Sequence, residues 1–363
     1  MNHHDIIIVV PEDNLNWLLI DQMRTKAFSN IDVAIVFETS KAKMLQKYCD
    51  QLNISSYDCL AKKKSRVLRG LKLSRLVRTT KASSVIVHSY PLGYLVVIMR
   101  LLNPKVTTVF VRHHNENHHL LNNKKSILLD KLYIMFASHV VAVSHTVRTT
   151  ILRECQGASR KVSVIYNGFD IERFRELRTR KITSSQDKYF KILAIGRLDW
   201  QKDYPLMLEI LRKYRLEVAE IDIEVYGEGK DGYKDKLETL AKHNSVSHAI
   251  TFNGWNPKIL EVMSNSSVIL HTAIDEACPL VIIEALLLGI PIVAIGNGGT
   301  KEILSTFGLD LNHSISDMIC SLWKVQFNYT EAKRRANSLI SKAEDLFDAE
   351  RSALEYLQIP NIR

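Results

Sequence analysis

Two cations five positions apart follow an apolar run in Ile192-Leu193-Ala194-Ile195-Gly196-Arg197-Leu198-Asp199-Trp200-Gln201-Lys202-Asp203-Tyr204-Pro205. A short β-branched run ending in Gly196 reads as a buried strand with a tight turn, and Pro205 marks the first turn of a helix. Arg197, Lys202 and a helix N-terminus then converge on one point, as needed to hold a diphosphate without a metal. Taken alone, the pair also fits two solvated surface cations. A second segment adds to it: Glu276-Ala277-Cys278-Pro279-Leu280-Val281-Ile282-Ile283-Glu284-Ala285. Pro279 opens a helix that is apolar nearly all round, yet Glu284 lies inside it, where a carboxylate needs a partner. A ribose offers two hydroxyl donors, the first amides at Leu280 and Val281 suit phosphate oxygens, and Glu276 stands just before. A core arginine or a neighbouring backbone to cap is the competing partner for Glu284.

Elements to position these groups alternate along the chain. Strand candidates in the front half are Asp5–Val10, Ile31–Phe37, Ser83–Val87, Val106–Val111, His139–Val143 and Lys161–Tyr166, with helices such as Ser65–Thr79 and Ser126–Phe136 between them. A polar stretch over 176–188 lacks an apolar period and reads as a linker. A second alternation follows with strands Phe190–Ile195, Asp222–Tyr226, Ile250–Phe252, Val268–His271 and Pro291–Ile295, and a helical tract closes the chain from Thr330 to about Leu357. The pattern predicts two Rossmann-like domains: 1–175, a linker over 176–188, 189–345, and a C-terminal helix and tail over 346–363. Ligands of such sheets sit at the carboxyl ends of the strands.

The combination Gly196-Arg197-x4-Lys202 with Glu276-x7-Glu284 resembles the retaining glycosyltransferases of family 4, which have the two-domain GT-B fold. Val141-Ala142-Val143-Ser144, Val164-Ile165-Tyr166-Asn167-Gly168-Phe169-Asp170 with Phe174, Val225-Tyr226-Gly227-Glu228-Gly229, Phe252-Asn253-Gly254 and Gly298-Gly299-Thr300-Lys301-Glu302-Ile303 match further stations of that family in order. The resemblance is dense from about 139 to 304. It implies two domains facing across a cleft and a C-terminal helix packing back toward the first. It also implies a hexosyltransferase-like activity: transfer of a sugar from a nucleotide donor, a UDP-sugar favoured, to a hydroxyl of a glycan or lipid-diphosphate-linked acceptor, with retained configuration and neither metal nor cofactor. Arg197 and Lys202 would neutralise the leaving diphosphate, Glu284 would hold the ribose, and Glu276 with the backbone over 277–281 would contact sugar or phosphates. Gly254, Trp255 and Lys258 would line the base pocket. His113, directly after a strand, matches a family histidine that hydrogen-bonds the donor sugar. The loop Pro11–Trp17 departs from the family by lacking paired glycines, and Ala277 and Cys278 replace a commoner glycine and aromatic.

The four histidines of His113-His114-Asn115-Glu116-Asn117-His118-His119 also permit a metal-cluster reading, opposed by the way adjacent side chains on an extended chain point apart. His88 reads as a strand-end core or cleft-wall residue. Of 363 residues, 46% are apolar and 24% charged, a globular composition; the apolar runs 92–102 and 279–295 are broken by Arg100 and Glu284 and too short to span a bilayer. The N-terminus has no signal-peptide pattern, and five scattered cysteines form no framework, so a reducing cytoplasm is expected. Residues 1–175 hold 26 of the 49 Lys and Arg but 13 of the 39 Asp and Glu, leaving 23 against 26 behind them. That asymmetry points to an anionic partner, either the acceptor or the inner membrane face, and no nucleic-acid motif accompanies it. Nine cations from Lys62 to Lys81 wind around a helix whose Val67, Leu68, Leu71 and Leu76 are expected to pack inward. Rivals on the same architecture are a nucleotide-sugar epimerase and a non-catalytic sugar-binding subunit, which a nucleotide-sugar panel separates. A dinucleotide oxidoreductase lacks its G-x-G-x-x-G.

Overall fold

The computed structural model describes residues 4–10, 16–37, 43–59, 65–88, 90–181, 190–230 and 232–362. The chain divides into two units, residues 1–170 with 347–363, and residues 171–346. The first carries Ile6–Val9 (β1), Val33–Val36 (β2), Ser55–Tyr57 (β3), Ser84–His88 (β4), Thr107–Arg112 (β5), His139–Ala142 (β6) and Val162–Val164 (β7). They form one parallel sheet in the order β3-β2-β1-β4-β5-β6-β7. Strands β1, β2 and β5 are buried along their whole length, as apolar runs in a helix-covered parallel sheet should be. Strand β3 escapes sequence reading because it is a three-residue Ser-Ser-Tyr edge with no apolar alternation.

The second unit holds Ile192–Ile195 (β8), Ile223–Tyr226 (β9), Ile250–Gly254 (β10), Val268–His271 (β11) and Ile292–Ala294 (β12), parallel, in the order β10-β9-β8-β11-β12. The order reverses between β8 and β11, the switch point at which such sheets bind ligands.

Three sequence expectations change. Residues 176–181 are no linker: they complete the helix Ile171–Lys181, anchored in the second unit where Arg175 and Arg178 both pair with Glu344. The remainder, 182–188, lies outside the described residues, as do most of the loop over 11–17 and Lys62 to Lys64. The closing helical tract is three helices, Tyr329–Ser338, Ile340–Phe347 and Ala349–Leu357, and Asp348 caps the last. On the helix Arg66–Thr80, Leu76 is buried as expected, but Val67, Leu68 and Leu71 are 62%, 51% and 47% exposed. Gly70, Leu73, Ser74 and Val77 occupy the inward face in their place. Among the described residues no helix is long and apolar enough to cross a membrane.

Candidate active site

The carboxyl edge of the second sheet is built from glycines at three neighbouring strand ends. Gly196 donates its amide to Tyr226 O at 3.0 Å after β8, and Gly227 donates to Gly254 O at 2.9 Å after β9. A Cβ on Gly227, whose φ is +147°, would stand 1.9 Å from Gly196 O, so no other residue fits there. A Cβ on Gly196 would meet Lys202 Cε at 2.9 Å: the lysine stem lies across this bare backbone.

Two loops at this edge are stitched together. Asp199 caps the short turn Trp200–Lys202, and Asp203, in the left-handed conformation, caps the helix Tyr204–Glu217 through Leu206 N. From the loop after β11, Thr272 Oγ1 donates to Lys202 O at 2.9 Å, Ile274 N donates to Gln201 O at 2.9 Å, and Gln201 Nε2 donates to Asp275 O at 2.7 Å. The result is an ion pair between Lys202 Nζ and Glu276 Oε1, two residues 74 positions apart, both mostly buried. Sequence reading placed these two in one site but missed the residues that join them. Also missed was His271, whose Nε2 lies 3.5 Å from Glu276 Oε1. Burial first and the Lys202 charge second hold its imidazole well below the usual histidine range, so it is neutral at pH 7. Arg197 behaves differently: it is 66% exposed and pairs with Asp199 Oδ2 at 3.2 Å. Trp255 and Lys258 follow β10 on the surface, Lys258 beside Glu261 at 3.8 Å. Among the described residues no hydrogen bond or ion pair links either of them to Lys202 or Glu276.

Glu284 lies within the buried helix Leu280–Leu287, which starts at Pro279 without a side-chain cap, leaving the Leu280 and Val281 amides facing the helix entry. Burial pushes the Glu284 carboxyl up to about 8, with Arg173 of the helix Ile171–Lys181 pulling the other way. The arginine alternative for Glu284 thus reduces to a nearby exposed cation from the segment adjoining the expected linker. Gly299 N donates to Glu276 O at 2.6 Å, and a Cβ on Gly298, φ +51°, would meet Asp275 Oδ1 at 2.4 Å. The glycine pair therefore lets the helix Gly298–Thr306 start directly against the Glu276 loop.

In the first unit, His113 follows β5 and its Nε2 lies 3.0 Å from Nδ1 of His88 at the end of β4. Burial lowers His88 to about 4 and holds His113 well below the usual range, so both rings are neutral and one donates its N–H to the other. His114 Nε2 faces Asp130 at 3.3 Å and His119 Nε2 faces Glu154 at 2.7 Å, so the three histidines take three separate partners. Among the described residues no group of three or more His, Cys, Asp or Glu is placed to hold a metal. The loop is organised by Arg112, fully buried at the end of β5. It contacts Asp130 at 3.1 Å and Glu154 at 2.8 Å, and donates to the carbonyls of His114 and Asn115. A charged residue closing the apolar run Val109-Phe110-Val111 was the signal for it.

Comparisons with known proteins fit this arrangement. Residues 30–173 match the model of Glycosyltransferase Family 4 and residues 176–313 that of Glycosyl transferases group 1, together 282 of the 363 residues. An uncharacterized glycosyltransferase of Methanocaldococcus jannaschii is 28% identical over 174 residues, 46% of this chain and 44% of that protein, so the chain spans under half of this relative. A UDP-Gal:alpha-D-GlcNAc-diphosphoundecaprenol alpha-1,3-galactosyltransferase of Escherichia coli is 26% identical over 273 residues, 70% of this chain and 69% of that protein. The fold is that of solved GT-B proteins: Anabaena HepE, crystallised with UDP-glucose, superposes with a TM-score of 0.80 over 98% of this chain and 99% of its own, at 17% identity.

Proposed function

Since the chain belongs to the family 4 type of glycosyltransferases, we propose that it is a retaining, metal-independent transferase taking a sugar from a nucleotide donor. The donor is a UDP-sugar and the acceptor a hydroxyl of a lipid-diphosphate-linked glycan, in the building of cell-surface polysaccharide at the inner membrane face. The observation that carries this reading is the Lys202–Glu276 pair over Gly196, set at the switch point of the second sheet. Lys202, mostly buried, and Arg197, exposed beside Asp199, would neutralise the charge growing on the leaving diphosphate. The Leu280 and Val281 amides would add two oriented donors to it. Glu276 would hold Lys202 in place and meet the donor sugar, and Glu284 would accept the ribose hydroxyls. His113, fixed by His88, would donate to or accept from the sugar. Gly254, Trp255 and Lys258 would border the base. The UDP preference is supported by the UDP-Gal of the Escherichia coli relative and the UDP-glucose of HepE.

The test is a panel of UDP-, GDP- and ADP-sugars scored for donor hydrolysis and for transfer to a lipid-diphosphate acceptor. Release of UDP is expected, with activity kept in excess EDTA; interconversion of sugars without release would identify an epimerase, and dependence on Mg²⁺ would sink the metal-free reading. Lys202→Ala and Arg197→Ala should each lose about a hundredfold or more in turnover, the loss typical of one transition-state donor. The double variant should fall well short of the product of the two losses, since both act on one diphosphate. Near-normal turnover in either single variant would remove that residue from the site.

A further inference from the structure

The helix Arg66–Thr80 turns a mixed face to solvent. Val67, Leu68 and Leu71 are about half exposed or more, and Arg66, Lys72 and Arg75 share that exposed surface, whereas Arg78 in the last turn is held by Leu102 O and Asn103 Oδ1. From Asp58 to Glu116 the sequence has no acidic residue in between, against twelve Lys and Arg. A second ridge repeats the chemistry: Leu120 and Leu121, 47% and 58% exposed, run into Lys124 and Lys125, again with no acid from Asn117 to Leu129. The helices Arg66–Thr80, Tyr94–Leu102 and Lys124–Phe136 pack side by side. Each connects parallel strands of the first sheet, so each begins at the carboxyl edge of that sheet. The apolar ends of both ridges, Val67 to Leu71 and Leu120 to Lys125, therefore lie toward one edge of the first unit, the edge on which His113 stands.

We propose that this edge is a docking surface for an anionic lipid bilayer. Val67, Leu68 and Leu71, with Leu120 and Leu121, enter the headgroup boundary, and the cations of both ridges bind lipid phosphates. The proposal rests on, and deepens, the reading of a lipid-linked acceptor. Charge alone would suit any polyanion, but large apolar side chains held in water beside those charges gain only from an apolar partner. Two such ridges, with a helix between them, call for an extended planar one. Lysine and arginine stems around them can lie along the inserted apolar groups while their heads stay at the phosphates.

The full chain is mixed with vesicles of phosphatidylcholine, alone or with phosphatidylglycerol, and UDP affinity is measured in the same samples. Binding is expected to the anionic vesicles only. The double variant Leu68→Gln/Leu71→Gln should lose about tenfold or more of that binding at ~0.15 M salt with its UDP affinity unchanged. In Leu68→Trp, brominated acyl chains should quench tryptophan emission beyond any quenching of the unmodified chain. Undiminished vesicle binding by the glutamine variant would reduce the contact to charge and overturn insertion. Equal binding to neutral vesicles, or binding to polyglutamate but to no vesicle, would overturn the bilayer as partner. Loss of UDP binding with vesicle binding kept would sink the donor reading and leave the docking surface standing, so the two fail separately.

Discussion

A carboxylate held at about 8 inside an apolar helix makes Glu284 the residue whose chemistry is easiest to measure. Its folded pKa lies above the unfolded value of 4.5, so the native state favours the protonated form. The stability this contributes is full below about pH 4.5 and is lost as pH rises through about 8. Glu284→Gln removes the titration while keeping the shape. Its melting temperature should match the unmodified protein near pH 4 and exceed it by a margin that grows toward about pH 8. If ribose hydroxyls bind the carboxylate form, UDP affinity of the unmodified protein should rise by up to about tenfold per pH unit below that pKa and level off above it, whereas the Gln variant stays flat and weaker. Calorimetric unfolding and UDP titration across this range check both. Parallel melting curves for the two proteins would show that Glu284 already has a fixed partner.

At the scale of elements, strand ends do the positioning. In the second sheet the glycines at the ends of β8, β9 and β10 strip the edge to backbone, and the loop after β11 is pinned to the loop after β8. In the first sheet β5 ends in Arg112, whose guanidinium spreads over Asp130, Glu154 and two carbonyls; its side chain and that of Asp130 are 1% exposed. Removing one partner of such a buried network leaves uncompensated charge. Arg112→Met is therefore expected to cost about 3–5 kcal/mol in denaturant unfolding. Arg112→Lys should recover only part of this, because an ammonium cannot span the same fork. A loss under about 1 kcal/mol for the methionine variant would mean that the two carboxylates are neutral or hydrated. The same substitution should loosen the loop bearing His113 and so depress transfer more than UDP binding.

At the scale of the molecule, the chain leaves the first unit at residue 170 and returns to it at 347. Phe169 and the returning chain exchange hydrogen bonds, Phe169 N to Phe347 O at 2.8 Å and Ala349 N to Phe169 O at 3.0 Å. Gly168 is required because a Cβ there would lie 2.6 Å from Ala349 Cα. Ser352 accepts from Gln22 and donates to Tyr166 O, Ser84 Oγ donates to Asn361 O, and Ala353, Tyr356, Ile359 and Ile362 are buried. Truncation after Leu346 should therefore unfold the first unit at markedly lower temperature and leave the second unit, residues 171–346, folded. Unchanged melting of the truncated chain would show the tail to be dispensable.

Ten of the twelve described strands were legible as short β-branched runs with glycine or polar ends, and an eleventh, β7, inside the tract Lys161–Tyr166, because burial on both sheet faces demands a nearly continuous apolar code. The edge strand β3 carries no such code. The strand-end place of Gly196 and the burial of Glu284 were likewise legible, since a glycine closing a β-branched run and a carboxylate in an apolar helix each contradict their surroundings. What only the tertiary structure decided depends on partners far along the chain. Lys202 meets Glu276, His88 meets His113, Arg112 gathers Asp130 and Glu154, and residues 347–363 rejoin the first unit. The outward turn of Val67, Leu68 and Leu71 belongs with these. Their apolar character alone put them inward, and the close approach of Gly70 to Ile98 on the neighbouring helix decided instead which face packs.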